Sequence, residues 1–210
     1  MLFELPKLYP ITDRRLSGLS HAEQVARLCE GGARLVQLRE KVLPTKEFYA
    51  EVLEALKVAR LFGAKLIIND RVDVALTVGA DGVHLGQDDM PPATARAVVG
   101  KRMVVGFSTH GVEQASAAAR LPVDYIAIGP VFDTSSKENP DPVVRIEGVR
   151  QVREAVGPAV KLVAIGGITA EAAPSVLEAG ADSVAVIRAL LGTSDPAEIT
   201  RRTRDLLARL

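Results

Sequence analysis

The 210-residue chain has one cysteine, no net charge and no long apolar run, and each absence excludes a class of protein. A single cysteine, Cys29, cannot form an internal disulfide, and its apolar helical neighbourhood predicts a buried thiol. Because 26 basic residues balance 26 acidic ones, the overall charge gives no reason to expect a nucleic-acid or anionic-membrane partner. Any anion that binds must therefore meet a local group of side chains.

The sequence also lacks the apolar segments of membrane and secreted proteins. No stretch of about 18 apolar residues that could span a bilayer occurs. Residues 1–13, MLFELPKLYPITD, carry charges and prolines where a signal peptide would have an apolar core. We therefore expect a cytoplasmic enzyme.

Two further absences concern the organisation of the chain. No Ser/Gly-rich linker or low-complexity segment interrupts it, so residues 1–210 are predicted to form a single domain. The first predicted strand is not followed by the G-x-G-x-x-G motif of an open, doubly wound sheet. That open sheet is therefore the weaker of the two folds considered.

What the sequence does contain is a regular alternation of short apolar runs with amphipathic stretches. The runs, rich in Val, Ile and Leu and typical of parallel strands buried on both faces, are 8–11, 35–38, 66–68, 83–85, 103–107, 125–128, 162–165 and 184–187. The helical patterns are 20–31, 45–62, 71–78, 92–99, 111–120, 146–156, 170–179 and 196–209. Eight strand–helix units with right-handed crossovers predict an α/β fold, a (β/α)8 TIM barrel.

Polar residues collect where the predicted strands end. The run at 66–68 stops at Asn69 and Asp70, and the run at 83–85 is soon followed by Asp89. The C-terminal ends of the strands carry the site in a TIM barrel, so these acids are expected to face a site and not the core. One such cluster can be ordinary turn chemistry, but several clusters with charges of both signs favour a site.

Asp70 and Asp89 leave neighbouring strands and should lie close together at this rim. Two adjacent carboxylates repel unless a cation lies between them, and Mg²⁺ prefers sites with one or two carboxylates, waters and substrate phosphates. The Cys and His spacing of a zinc site is missing. Arg39, Lys41 and Lys137 are predicted nearby, so a Mg²⁺–diphosphate would explain charges of both signs. Plain surface salt bridges are the other interpretation.

Two more segments indicate phosphate binding. Gly166 and Gly167 follow the seventh strand, where backbone N–H groups can approach a phosphate at the start of a helix. Barrels commonly bind phosphate after strands seven and eight. The long loop 129–142 offers hydroxyls and Lys137 as an anion grip, with a solvated loop as the alternative.

The three histidines are assigned different roles. His21 is expected on a helix surface, and His84 lies within the fourth strand as a core or supporting group. His110 lies at the rim, where a proton-transfer role and an ordinary loop position are both open.

As a set, these motifs resemble the thiamine-phosphate synthase family, which includes thiazole tautomerases. They are YPITD (9–13), QLREK (37–41), INDR (68–71), GVHLGQDD (82–89), STH (108–110), GPVF-x-T-x-S-K (129–137) and AIGGI (164–168). The resemblance covers nearly the whole chain in order and spacing, and the family is similar in fold to the predicted barrel.

The resemblance implies a transferase that joins hydroxymethylpyrimidine diphosphate to a thiazole phosphate and releases diphosphate. The implied path is dissociative, because an aminopyrimidine can stabilise a methylene cation without a nucleophilic residue. The implied cofactor is Mg²⁺, and the implied partners are two small-molecule substrates, with no nucleic acid or membrane and with a homo-oligomer left open.

The resemblance also implies a role for each matching residue. Those implied to contact the pyrimidine diphosphate are Gln37, Leu38, Arg39, Glu40, Lys41, Asn69, Ser108 and Lys137. Of these, Arg39, Lys41, Ser108 and Lys137 would be catalytic, and Asp70 and Asp89 would bind Mg²⁺. Those implied to surround the thiazole phosphate are Thr134, Ser135, Ser136, Gly167, Ile187 and Arg188.

Two positions depart from the family pattern, and two other functions are considered. A serine is usual where Arg188 stands, so its guanidinium could grip the phosphate or crowd it; Ser136 replaces a common threonine and keeps the hydroxyl.

The alternatives are a thiazole tautomerase, with His110 moving a proton and no Mg²⁺, and a catalytically silent ligand-binding regulator. The retained Asp70, Asp89 and Lys137 favour the synthase.

Overall fold

The computed structural model describes residues 3–134 and 141–210. The strands in these ranges are β1 Leu8–Pro10, β2 Leu35–Leu38, β3 Lys65–Asn69, β4 Gly82–Leu85, β5 Val104–Thr109, β6 Tyr125–Ile128, β7 Leu162–Ile165 and β8 Ser183–Val186. The helices are α1 Arg14–Ser17, α2 His21–Glu30, α3 Thr45–Leu61, α4 Val72–Val78, α5 Pro92–Val99, α6 Val112–Ala118, α7 Arg145–Val156, α8 Ala173–Glu178, α9 Arg188–Leu191 and α10 Pro196–Leu207.

The parallel strands close into a barrel. Their hydrogen-bonded order is β1-β8-β7-β6-β5-β4-β3-β2. A parallel bridge between Ile11 and Gln37 joins the two ends, where the N–H of Thr12 donates to the Gln37 carbonyl at 2.9 Å. The predicted (β/α)8 TIM barrel is therefore confirmed.

The strands read as continuous apolar runs because both of their faces are buried. Leu66 and Ile68 of β3 belong to the core between the sheet and the helices, whereas Ile67 belongs to a second cluster inside the barrel. Tyr9 and Tyr125 fill the same interior cluster. This alternation sends every second side chain of a strand toward the axis on which the site is built.

The N-terminal end of the barrel is closed by an aromatic plug. The ring of Phe3 lies 6.1 Å from the ring of Tyr125, and the Lys65 and Lys161 ammonium groups lie 5.2 and 4.9 Å from its centroid. An ammonium group over an aromatic ring is attracted by the negative charge of the ring face. The opposite, C-terminal mouth is thus the open end, as the polar strand exits predicted.

Helix α2 begins with a capping box. Ser20 accepts from the N–H of Glu23 at 3.3 Å, and the Glu23 carboxylate accepts from the N–H of Ser20 at 2.9 Å. This start places His21 on the same helix face as Val25 and Leu28, and all three are fully buried. The prediction that His21 lies on the helix surface is therefore wrong.

Two one-turn helices were not predicted. α1 begins beside Asp13, whose carboxylate accepts from the N–H of Arg15 at 2.9 Å, and α9 begins directly after Ile187. A single turn is too short to produce a helical apolar period. Cys29 is buried as predicted, and burial raises the pKa of its thiol to about 11. In the described ranges no helix is long and apolar enough to cross a bilayer.

Candidate active site

A cavity of about 1120 Å³ occupies the C-terminal mouth of the barrel. The predicted site residues that line it are Gln37, Arg39, Lys41, Asn69, Asp70, Asp89, Ser108, Thr134, Gly167, Ile187 and Arg188. The side chain of Leu38 is instead fully buried in the core between sheet and helices, and Glu40 points to backbone outside the cavity lining. Ser135, Ser136 and Lys137 lie outside the described residues.

Asp70 and Asp89 come together at this mouth. Asp70 has a φ of 63°, a left-handed conformation that non-glycine residues seldom adopt, and its N–H donates to the His84 carbonyl at 2.8 Å. The Asp89 carboxylate accepts from the N–H of Gly86 at 2.7 Å. Burial, and then a hydrogen bond with Asp70, raise the pKa of Asp89. These backbone bonds help to fix both acids at the same mouth of the cavity.

The cations at the mouth are held by carboxylates. The Lys41 ammonium contacts the Asp70 carboxylate, and Arg39 lies 3.9 Å from Asp13. In the described part of the chain, no cluster of three or more His, Cys, Asp and Glu side chains could hold a metal. A pair of carboxylates beside an open cavity instead suits Mg²⁺, which keeps several waters and takes substrate phosphates as ligands.

A chain of hydrogen bonds crosses the floor of the cavity. Ser108 Oγ lies 2.8 Å from His84 Nε2, and His84 Nδ1 lies 2.9 Å from the Tyr125 hydroxyl. The Tyr125 hydroxyl lies 2.9 Å from that of Tyr9, which accepts from Gln37 Nε2 at 3.0 Å. Burial lowers the pKa of His84 to about 4, so its ring is neutral near pH 7. The network holds Ser108 and Gln37, both predicted substrate contacts, in fixed positions.

Sequence reasoning missed the two tyrosines of this network. A Cβ atom on Gly106 of β5 would collide with the ring of Tyr125. A glycine inside a strand marks a place where another group approaches the backbone closely. Gly106 was therefore the available signal, although it does not tell which side chain fills the space.

The glycines after β7 make room for the loop after β6. Gly166 and Gly167 have φ angles of 100° and 65°, in the region that favours glycine. A Cβ on Gly167 would collide with the Asp133 carbonyl and with Phe132. Close approach of these two loops shapes the part of the cavity where Thr134 and Arg188 lie.

His110 lies in the same part of the cavity. Its Nδ1 is 2.7 Å from the Gly129 carbonyl, which can only accept, so Nδ1 carries the hydrogen. Helix α10 also lines the cavity through residues including Arg201, Arg202 and Asp205. The sequence did not predict this contribution, because a charged helix face ordinarily faces solvent.

The chain is similar to known proteins over most of its length. A family model described as thiamine monophosphate synthase matches residues 8–190. The thiamine-phosphate synthase of Chloroflexus aurantiacus is 42% identical over 203 residues, 96% of this chain and 93% of that protein. That of Koribacter versatilis is 47% identical over 195 residues, 90% of each chain. The structure of thiamine phosphate pyrophosphorylase from Pyrococcus furiosus has a TM-score of 0.84 and 39% identity, covering 96% of this chain and 95% of that one.

Proposed function

The chain belongs to the thiamine monophosphate synthase family, and from this membership we propose that its barrel mouth joins a hydroxymethylpyrimidine diphosphate to a thiazole phosphate. The chain is an enzyme, a transferase that acts as a thiamine-phosphate synthase. The relatives give no support to the tautomerase or to the silent regulator. The cytoplasmic location expected from the sequence stays a prediction.

One observation carries the proposed chemistry: two acids and two cations from three strand ends meet in one cavity. Asp70 and Asp89 both line that cavity, and Lys41 contacts Asp70 while Arg39 lines the same space. A volume of about 1120 Å³ lies slightly above the range of about 300–1,000 Å³ that is usual for small-molecule pockets, which suits two substrates bound side by side. Charges of both signs suit a metal-bound diphosphate better than either sign alone would.

We propose that Asp70 and Asp89 would hold Mg²⁺. Their fit rests on position, because both carboxylates line the open mouth of the cavity from the ends of neighbouring strands. The chemistry that the ion supplies when bound is neutralisation of charge on the diphosphate.

The cationic side chains bind the leaving group. As the bond between the methylene carbon and the diphosphate oxygen breaks, both electrons go to the oxygen, so negative charge grows there. Arg39 and Lys41, with Lys137 from outside the described residues, would stabilise that charge. Asn69 and Ser108 would hydrogen-bond the same substrate.

The second substrate completes the reaction at the methylene carbon. The lone pair of the thiazole nitrogen forms the new carbon–nitrogen bond, so no residue must act as a nucleophile. Positioning the two substrates against each other supplies much of the acceleration. Residues proposed to surround the thiazole phosphate are Thr134, Ser135, Ser136, Gly167, Ile187 and Arg188.

The test is an assay of diphosphate release with both substrates, each substrate alone, and Mg²⁺ present or absent. We expect release, matched by thiamine phosphate, only when both substrates and Mg²⁺ are present. Glu54→Ala, which removes an exposed acid of α3 far from the cavity, should behave like the wild type. Isomerisation of the thiazole without coupling would refute the synthase, and full activity without Mg²⁺ would refute the metal site.

A further inference from the structure

A fully buried histidine lies beneath the loop that carries Arg39 and Lys41, and the chemistry proposed above does not use it. His21 begins helix α2, and its imidazole packs edge-on against Phe48 with ring centroids 6.3 Å apart. Its Nδ1 is 2.8 Å from Thr12 Oγ1, and its Nε2 is 3.3 Å from the carboxylate of Glu40.

The partners of His21 determine where its protons lie. A carboxylate only accepts, so Nε2 carries the hydrogen and donates to Glu40. Nδ1 of the neutral ring then accepts from the Thr12 hydroxyl. The Thr12 oxygen in turn accepts from the backbone N–H of Arg39 at 3.3 Å. One side of the imidazole is thereby linked to the backbone of Arg39.

The other side is linked to the backbone after Glu40. The second carboxylate oxygen of Glu40 accepts from the N–H groups of Lys41, Val42 and Leu43 at 2.8, 2.7 and 3.3 Å. A carboxylate with this many backbone donors is strongly held. Glu40 is not among the residues that line the cavity, although the family resemblance implied a substrate contact for it.

The surroundings of His21 are polar on its backbone side as well. Its own N–H donates to the Glu51 carboxylate at 3.0 Å, and Glu51 lies 3.6 Å from Arg14. These bonds attach the start of α2 to α3. The backbone of His21 is thus held in place by α3, and its two ring nitrogens hydrogen-bond to Thr12 and Glu40 on the two sides of the loop.

We propose that His21 is a positioning residue: through Thr12 and Glu40 it fixes the backbone on both sides of the loop and so directs Arg39 and Lys41 to the diphosphate. Glu40 is then a link in this support and not a substrate ligand. The proposal rests on the proposed function, since Arg39 and Lys41 matter only if they bind the pyrimidine diphosphate.

The test is a kinetic comparison of His21→Phe with Leu28→Ala. Phenylalanine keeps an aromatic ring at this buried site but removes both hydrogen bonds. We expect the KM for the pyrimidine diphosphate to rise about tenfold or more, with the KM for the thiazole phosphate within about twofold. Leu28→Ala destabilises the same buried face of α2 without touching the loop and should change neither KM. Equal KM values for wild type and His21→Phe would overturn the proposal.

A double-mutant cycle with Glu40→Gln separates support from direct contact. If Glu40 acts through the same support, the KM for the pyrimidine diphosphate should rise in the double variant His21→Phe/Glu40→Gln by much less than the product of the two single-variant increases. Independent, multiplicative losses would mean that Glu40 touches the substrate itself and would overturn the proposal.

Two further results keep the outcome clear. If His21→Phe does not fold, Thr12→Val removes only the hydroxyl that links His21 to Arg39 and decides by the same KM comparison. A wild type that releases no diphosphate with both substrates and Mg²⁺ contradicts the proposed function. An active wild type with unchanged variants contradicts the role of His21 alone.

Discussion

Asp70 and Asp89 leave neighbouring strands and line one mouth of the barrel, where burial and then the nearby Asp70 carboxyl raise the pKa of Asp89. Two neighbouring carboxylates repel each other unless one of them is protonated or a cation lies between them. Asp70 adopts a φ of 63°, and positive φ is costly for residues other than glycine. The fold therefore keeps both acids at one mouth despite their repulsion, which suits the magnesium site proposed above.

Removing one of these acids should impair turnover and not folding. Asp89→Ala is expected to lower kcat by about a hundredfold and to weaken the dependence on Mg²⁺. Steady-state assays across a Mg²⁺ titration, with circular dichroism for the fold, check this. Glu54→Ala, which removes an exposed acid of α3 outside the cavity lining, is the control. Loss of the Asp89→Ala fold would make Asp89 a structural residue.

The raised pKa of Asp89 predicts how stability without metal depends on pH. Above the usual Asp value of about 3.9, the folded chain keeps a proton that the unfolded chain has lost. Stability from this group is therefore complete at low pH and is lost as pH rises through the folded-state pKa.

Thermal melts of the wild type and Asp89→Asn between pH 4 and pH 7 test this sign. The wild type without Mg²⁺ should lose Tm relative to Asp89→Asn as pH rises. Added Mg²⁺ should raise the wild-type Tm more at higher pH, because the ion needs both carboxylates ionised. Parallel curves with and without Mg²⁺ would contradict the shared site.

The lowered pKa of His84 predicts the opposite slope. The unfolded histidine takes up a proton near pH 6.5 and the folded one near pH 4, so stability falls as pH falls between them. The difference corresponds to about 3 kcal/mol. Urea unfolding at pH 7 and pH 4.5 measures the loss, which should shrink in His84→Asn. If both proteins lose the same free energy of unfolding between pH 7 and pH 4.5, a group other than His84 is responsible for the loss.

The acids at the mouth could be predicted from the sequence, whereas the tyrosines beneath them could not. Asp70 and Asp89 were predictable as neighbours because parallel strands bring their C-terminal ends to one rim. The Tyr9–Tyr125 contact was not, because it joins β1 and β6 across the barrel interior. No pattern within one strand reports its partner on the opposite wall.

His21 shows a second limit. Helical periodicity with Val25 and Leu28 was present in the sequence, but histidine is intermediate between buried and exposed residue types, so its type does not decide its position. Only the positions of Thr12 and Glu40 show that its polar atoms are satisfied when buried. A polar residue can be buried only if other elements supply its hydrogen-bond partners. The positions of those partners follow from the three-dimensional structure and not from the local sequence.

The hydrogen-bonded floor of the cavity predicts a cost for losing one hydroxyl. Tyr125→Phe keeps the ring beside Gly106 but removes a bond partner from His84 and from Tyr9. The free energy of unfolding should fall by about 1–3 kcal/mol, with a lower kcat/KM for the pyrimidine diphosphate. Tyr49→Phe, on α3, should change the unfolding free energy by less than about 0.5 kcal/mol. Equal losses in the two variants would mean that the network contributes nothing.

Gly167 and Gly18 both have a left-handed backbone conformation but differ in their surroundings. Comparing their alanine variants therefore separates the effect of backbone strain from the effect of a steric collision. Their φ angles are 65° and 72°, but an added Cβ meets Asp133 and Phe132 only at Gly167 and finds open space at Gly18. Both alanine variants should lose about 1 kcal/mol of stability from backbone strain. Only Gly167→Ala should also raise the KM for the thiazole phosphate, by about tenfold or more, because the loop after β6 must move. Unfolding curves and substrate titrations of both variants measure the two effects, and an unchanged KM in Gly167→Ala would remove this glycine from the thiazole-phosphate site.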